Sequence, residues 1–197
     1  PRNPVTLLPQ TAFHPCEKQD VVETMDVSQG KLCMGFVTPI TNRCADFAAM
    51  QLLNVIYGSG MTSKLFVNVR EKLSLCYYAS SIYHRQKGII TVSSGIEFEK
   101  YEQARSEILS QLDAVKRGEL EQWELEGSRR TLMGAYLSML DEQGSQEEFW
   151  LGQTVAGLEF GPGELAEAVE KVTAEEVAAM ARKLELDTVY FLKGKEA

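Results

Sequence analysis

Histidine is scarce in this chain: His14 and His84 are the two it has. A catalytic zinc site needs three protein ligands and an open fourth position. His14-Pro15-Cys16-Glu17-Lys18 sets a glutamate three residues after a histidine, but lysine stands where a second ligand belongs. Pro15 also works against a metal-binding helix that begins before it. His84, beside Arg85, reads as a surface residue, so no zinc site is expected here. The four cysteines, Cys16, Cys33, Cys44 and Cys76, form no C-x-x-C pair and read as buried free thiols in a reducing cytoplasm. No run approaches the ~18 apolar residues of a membrane span. Residues 1–9 lack the basic-then-apolar order of a signal peptide, and a cytoplasmic location is the expectation. Clustered cations are missing too. Residues 1–96 hold nine Lys/Arg against six Asp/Glu, and residues 97–197 hold eleven against twenty-two. The acidic excess falls on predicted helices as a solvated face and argues against nucleic acid. Gly58-Ser59-Gly60 with Lys64 lacks the Walker spacing. It follows a helix instead of a strand, which points to a helix-to-helix turn needing positive φ. No histidine is placed beside Cys76 or a serine to make a nucleophile.

What the chain does have is clear patterning. Apolar residues make up 44% and charged residues 24%, enough for one domain with a substantial core. Residues 1–19, punctuated by proline, read as a linker or extended leading segment, and residues 20–197 as a single domain. Residues 21–27 and 31–37 read as strands, residues 46–57 as a helix, and residues 63–71 as a second short helix. Residues 76–83 and 88–95 form a predicted hairpin turning at Gln86-Lys87-Gly88. Ala104, Ile108, Leu112 and Val115 mark the inner face of a helix over 101–115. Further helices are expected over 120–140, 146–155 and 164–172. Pro162-Gly163 is read as a turn, and Thr173-Ala174-Glu175-Glu176 as a capping box opening one more helix. The last strand, 187–194, has no sheet to join unless it returns to the first ones. The predicted fold is therefore α+β: a two-layer sandwich of an antiparallel or mixed sheet with helices on one face.

The most specific stretch runs from Gly58-Ser59-Gly60-Met61-Thr62-Ser63-Lys64-Leu65-Phe66 through Arg70-Glu71-Lys72-Leu73 to Tyr77. A glycine-broken turn launches a short helix carrying Leu65, Phe66 and Val69, and a tyrosine opens a strand seven residues after Arg70. This resembles the second, non-zinc-binding domain of the pitrilysin-family (insulinase-like) zinc peptidases. The resemblance extends by element order over residues 20–197 and by motif over residues 58–77. It implies the same α+β fold and a catalytically incomplete half of a metallopeptidase or peptidase-like protein. On that reading Arg70 and Tyr77 bind a peptide substrate and donate hydrogen bonds to the oxyanion of a tetrahedral intermediate. The zinc, held through H-x-x-E-H, would belong to a homologous partner domain on the same chain or another subunit. No catalytic residue, metal or cofactor is then expected on this chain alone, and no nucleic acid or membrane among its partners.

Each of these residues also has a plainer reading. Arg70 can pair with a carboxylate at a helix end, and Tyr77 can pack as a strand aromatic. Tyr78 is an alternative occupant of the tyrosine position, since adjacent strand residues face opposite ways. Lys64, Arg70, Lys72, Arg85 and Lys87 could form a modest anion-attracting face. The apolar residues between Trp123 and Trp150 read as core or helix–helix contact, or as a surface facing a partner domain. The alternative function is a structural domain of the same fold that assembles an oligomer without catalysis. A small-molecule-binding module would need a saturable pocket, which no sequence feature requests.

Overall fold

Leu32, Met34 and Phe36 are almost wholly buried, while Lys31, Cys33, Gly35 and Val37 between them are not. That alternation makes a strand with one face on the core. The computed structural model, which describes residues 17–195, contains five strands. They are β1 (Gln19–Met25), β2 (Gly30–Val37), β3 (Cys76–His84), β4 (Ile89–Ile96) and β5 (Glu185–Gly194). Their order across the sheet is β1-β5-β2-β4-β3. β1 runs parallel to β5 and the other pairs are antiparallel, so the sheet is mixed. The last strand inserts between the first two, the return that its isolation in the sequence required.

The helices are α1 (Phe47–Tyr57), a π-helix (Leu65–Lys72), α2 (Tyr101–Lys116), α3 (Gln122–Ser138), α4 (Gln143–Ala156), α5 (Pro162–Lys171) and α6 (Ala174–Arg182). α2 buries Ala104, Ile108, Leu112 and Val115, the face its spacing predicts. Each large apolar side chain buried there contributes about 1.5–3 kcal/mol. α1 is buried nearly all round, because β3 lies against it and α3, α5 and α6 pack on its other sides. The Tyr57 hydroxyl at its end donates to the Ile108 carbonyl at 3.0 Å, tying α1 to α2. Burial, with Asp113 nearby, raises the Tyr57 pKa far above the ordinary phenol value.

Several expectations need correcting. Pro162-Gly163 is not a turn but the first turn of α5, where the missing N–H of proline costs nothing. Of the segment from Trp123 to Trp150, Leu132, Tyr136 and Phe149 reach the core. Trp123, Leu137, Leu140 and Trp150 are exposed instead. Cys33, Cys44 and Cys76 are free thiols but only half-buried. Cys16, His14 and most of the proline-punctuated start lie outside the described residues. The capping box holds as read. The Glu176 N–H donates to Thr173 Oγ1 at 3.2 Å, and the Thr173 N–H to Glu176 Oε2 at 2.8 Å. Among the described residues no helix is long and apolar enough to cross a membrane.

Candidate functional site

Gly58 closes α1 with φ −154°, a value open to any residue. Its requirement is space, not a positive φ. A Cβ there would lie 2.6 Å from Ser81 Oγ and 2.8 Å from Leu65 Cδ1. The backbone therefore lies against β3, where the Ser81 N–H donates to the Gly58 carbonyl at 3.0 Å. Gly60 is the glycine that carries the positive φ, at 155°. Ser63, fully buried, donates to the Gly60 carbonyl at 2.7 Å and accepts the Phe66 N–H at 3.3 Å. It thus satisfies a free donor at the start of the next helix.

That helix is wound as a π-helix and not as the ordinary helix its length suggests. Leu65 and Val69 are buried and Phe66 and Arg70 form the adjoining stripe. The Arg70 guanidinium sits 4.7 Å from the Phe66 ring centre, a cation–π contact. At the far end, the Leu73 N–H reaches back to the Asn68 carbonyl and the Ser74 N–H to the Arg70 carbonyl. Ser74 adopts φ +48°, the left-handed kink that turns the chain into β3. Wide helical turns of this kind concentrate at functional sites.

The opposite side of the π-helix is anchored by charge. Lys64 Nζ lies 3.0 Å from both carboxylate oxygens of Glu124 on α3, and both residues are buried. Glu124 Oε2 also accepts the Glu121 N–H at 2.9 Å. Lys72 donates to Asn68, and Asn68 to Gln111 on α2, at 2.9 and 2.6 Å. The five cations therefore do not share one face. Lys64 is neutralised in the interior, Lys72 is spent on Asn68, and Arg85 and Lys87 lie at the other end of β3. The anchoring role of Lys64 and Glu124 was invisible in the sequence, because sixty residues separate them.

Arg70 and Tyr77 face solvent. The Arg70 side chain is 40% exposed and approaches Glu71 only loosely, Nε to Oε1 at 3.6 Å. Tyr77 is 58% exposed and falls at a bulge: β4 pairs with Cys76 and then with Tyr78, skipping it. Its hydroxyl has no hydrogen-bond partner among the described residues. Tyr78 is engaged differently. Its ring lies over Gly95, where a Cβ would meet it at 2.6 Å, with Lys31 Nζ 5.4 Å from the ring centre. Burial pushes the thiol pKa of Cys76, next to Tyr77, upward. A hydrogen bond from Ser94 and the charge of Arg70 pull the other way. Arg70 is thus electrostatically close to the start of β3.

No three His, Cys, Asp or Glu side chains converge among the described residues. His84 Nε2 is engaged with Thr91 Oγ1 at 3.1 Å.

A family profile described as the Peptidase M16 inactive domain matches residues 1–132. The chain belongs to that family. This is the family to which the motif of residues 58–77 pointed. The chain is 38% identical over 180 residues to the "Probable inactive metalloprotease YmfF" of Bacillus subtilis (strain 168), covering 91% of this chain and 42% of that protein. It is 28% identical over 167 residues to an "Uncharacterized zinc protease" of Rickettsia bellii (strain RML369-C), covering 81% of this chain and 39% of the relative. It thus spans about two fifths of the length of these curated relatives. Among solved structures, a conserved protein from Enterococcus faecalis V583 superposes with a TM-score of 0.84 at 30% identity, over 95% of this chain and 44% of that one. The M16 inactive domain from Pseudomonas fluorescens superposes with a TM-score of 0.77 at 20% identity, over 94% of this chain and 45% of that one. The last comparison shows the fold alone, an M16 inactive domain built on the same mixed sheet.

Proposed function

We propose that this M16 inactive domain is the non-zinc-binding half of a two-domain peptidase-like assembly and holds peptide against a zinc-binding partner domain. Arg70 and Tyr77 are the donors on its side. The observation that carries the reading is their shared state: a guanidinium and a phenol, both exposed, neither strongly partnered, at a π-helix end and at a β-bulge next to each other in the chain. Two such donors can hold a peptide carbonyl in register, or stabilise the negative oxygen that develops when that carbonyl is attacked. The anchored rear face of the π-helix fixes Arg70 before a peptide arrives, which limits the ordering cost of binding.

The test is peptide hydrolysis by the native assembly with its partner domain, comparing wild type with Arg70→Ala, Tyr77→Phe and Tyr78→Phe at matched circular dichroism and oligomer size. Loss of a transition-state donor lowers the rate about a hundredfold. That fall is expected for the first two variants and not for Tyr78→Phe. Full activity in Arg70→Ala and Tyr77→Phe would remove both residues from the chemistry.

A second reading, oligomer assembly without catalysis, is favoured by the apolar side chains that α3 and α4 leave in solvent, Leu137, Trp150 and Leu151 among them. Under it the wild-type assembly hydrolyses no peptide, and charged substitutions at Leu137 and Leu151 dissociate it.

A further inference from the structure

The turn between β3 and β4 presents an arginine that nothing described neutralises. The Arg85 side chain makes no hydrogen bond or ion pair with any described residue. The turn holding it is rigid. The N–H groups of Lys87 and Gly88 both donate to the His84 carbonyl, and the Asn42 N–H donates to the Arg85 carbonyl at 2.9 Å. Gly88, at φ +64°, packs so closely on Thr38 that a Cβ would come within 2.3 Å of the Thr38 oxygen. From this turn the guanidinium reaches α4, where Nη2 lies 3.5 Å from the point a Cβ on Gly152 would occupy.

The turn, α1 and α4 enclose an open groove of about 560 Å³, within the size range of small-ligand sites. Gln51 and Gln86 bring amides to it, and Glu148 a carboxylate. Leu151 and Val155 supply an apolar wall, 63% and 55% exposed. The Gln51 amide is itself held, its Nε2 donating to the buried Tyr136 hydroxyl at 3.2 Å.

We propose that this groove binds a monocarboxylate carrying an apolar branch, with the Arg85 guanidinium on the carboxylate and Leu151 and Val155 on the branch. A guanidinium presents two parallel N–H groups that match a carboxylate. Glu148 repels a second negative charge, so a dianionic phosphate is disfavoured. Gly152 leaves open the space beside the guanidinium that a large side chain would fill, and the rigid turn makes the site ready-formed. The chemistry is shared by two sources, the free C-terminus of a peptide and a free apolar amino acid. The site does not depend on Arg70 and Tyr77. Seven residue steps of extended strand lead from Tyr77 to His84, about 23 Å.

The experiment is calorimetric titration of the native protein carrying this domain with an acetylated peptide ending in leucine, the same peptide as its C-terminal amide, free leucine, and phenyl phosphate. Wild type should bind the acid at least about tenfold more tightly than the amide, the scale of a charge-assisted pair. Arg85→Gln should lose that preference, and Gly152→Leu should lose binding with the circular dichroism spectrum unchanged. Binding of the peptide acid without free leucine assigns the site to peptide ends; binding of leucine as well assigns it to amino acids, and both support the proposal. Equal binding of acid and amide, stronger binding of phenyl phosphate, wild-type affinity in Arg85→Gln, or no saturable binding by wild type would each overturn it.

Discussion

Replacing Glu124 with alanine removes the only carboxylate that meets the buried Lys64 ammonium among the described residues. Both side chains are less than a tenth exposed, at 8% and 7%, so solvent cannot take over the interaction. Leaving one member of a buried pair uncompensated costs about 3–5 kcal/mol. For a domain of this size that is a fall in Tm of roughly 6–20 °C, at about 2–4 °C per kcal/mol. The same carboxylate also receives the Glu121 N–H at the start of α3, and a lost cap adds about 1 kcal/mol. The control is the double variant Lys64→Met, Glu124→Leu, which removes both charges while keeping apolar volume. It should recover most of the loss and retain little beyond the cap, because a buried pair exchanged for packed apolar groups is often neutral. Urea and thermal unfolding of wild type, the single variant and the double variant measure this directly. A Glu124→Ala cost below about 1 kcal/mol, or a double variant no more stable than the single, would refute the buried-pair reasoning.

Gly58→Ala should destabilise by about 1–3 kcal/mol through overpacking, since its Cβ would collide with Ser81 and Leu65. Gly134→Ala, on α3 with nothing within 4 Å of a Cβ, should instead stabilise by about 0.5–1 kcal/mol; thermal unfolding separates the signs. Stability should also fall at alkaline pH. Burial pushes the Tyr136 hydroxyl up to about 12 from an ordinary value of 10.0, and burial raises Tyr57 and Tyr83 further. The folded state therefore binds more protons than the unfolded one between those values. The Tyr136 contribution, about 3 kcal/mol, is complete below pH 10 and is lost as pH rises toward about 12. Tyrosinate absorbance and circular dichroism should then change together for these buried phenols; ionisation of all seven tyrosines before any unfolding would contradict it.

Much of this fold was legible because its signals are local. The apolar step of α2, the capping box of α6 and the strand alternation of β2 are each set within a few residues. The place of β5 followed from its isolation at the end of a helical block. Arg70 and Tyr77 stood out by their setting, since a glycine turn, a short helix and a strand opening fall within twenty residues. What the sequence obscured were long-range pairings. Lys64 looked like one of five surface cations until α3 brought Glu124 against it. Trp123 and Trp150 could be read as core, helix–helix contact or partner-facing surface, because hydrophobicity does not reveal whether a neighbouring layer covers a side chain.

The linear chain by itself determined most of the elements and the fold class, because backbone preference and periodicity are local properties. Only the tertiary structure decided which glycine is needed for space and which for φ. It also placed Tyr77 at a bulge while Tyr78 covers Gly95, and it set Arg85 over Gly152 with no ion-pair partner among the described residues. Each of these depends on which distant segments come into contact, and that is set by how the sheet and helix layers pack, not by any short stretch of residues.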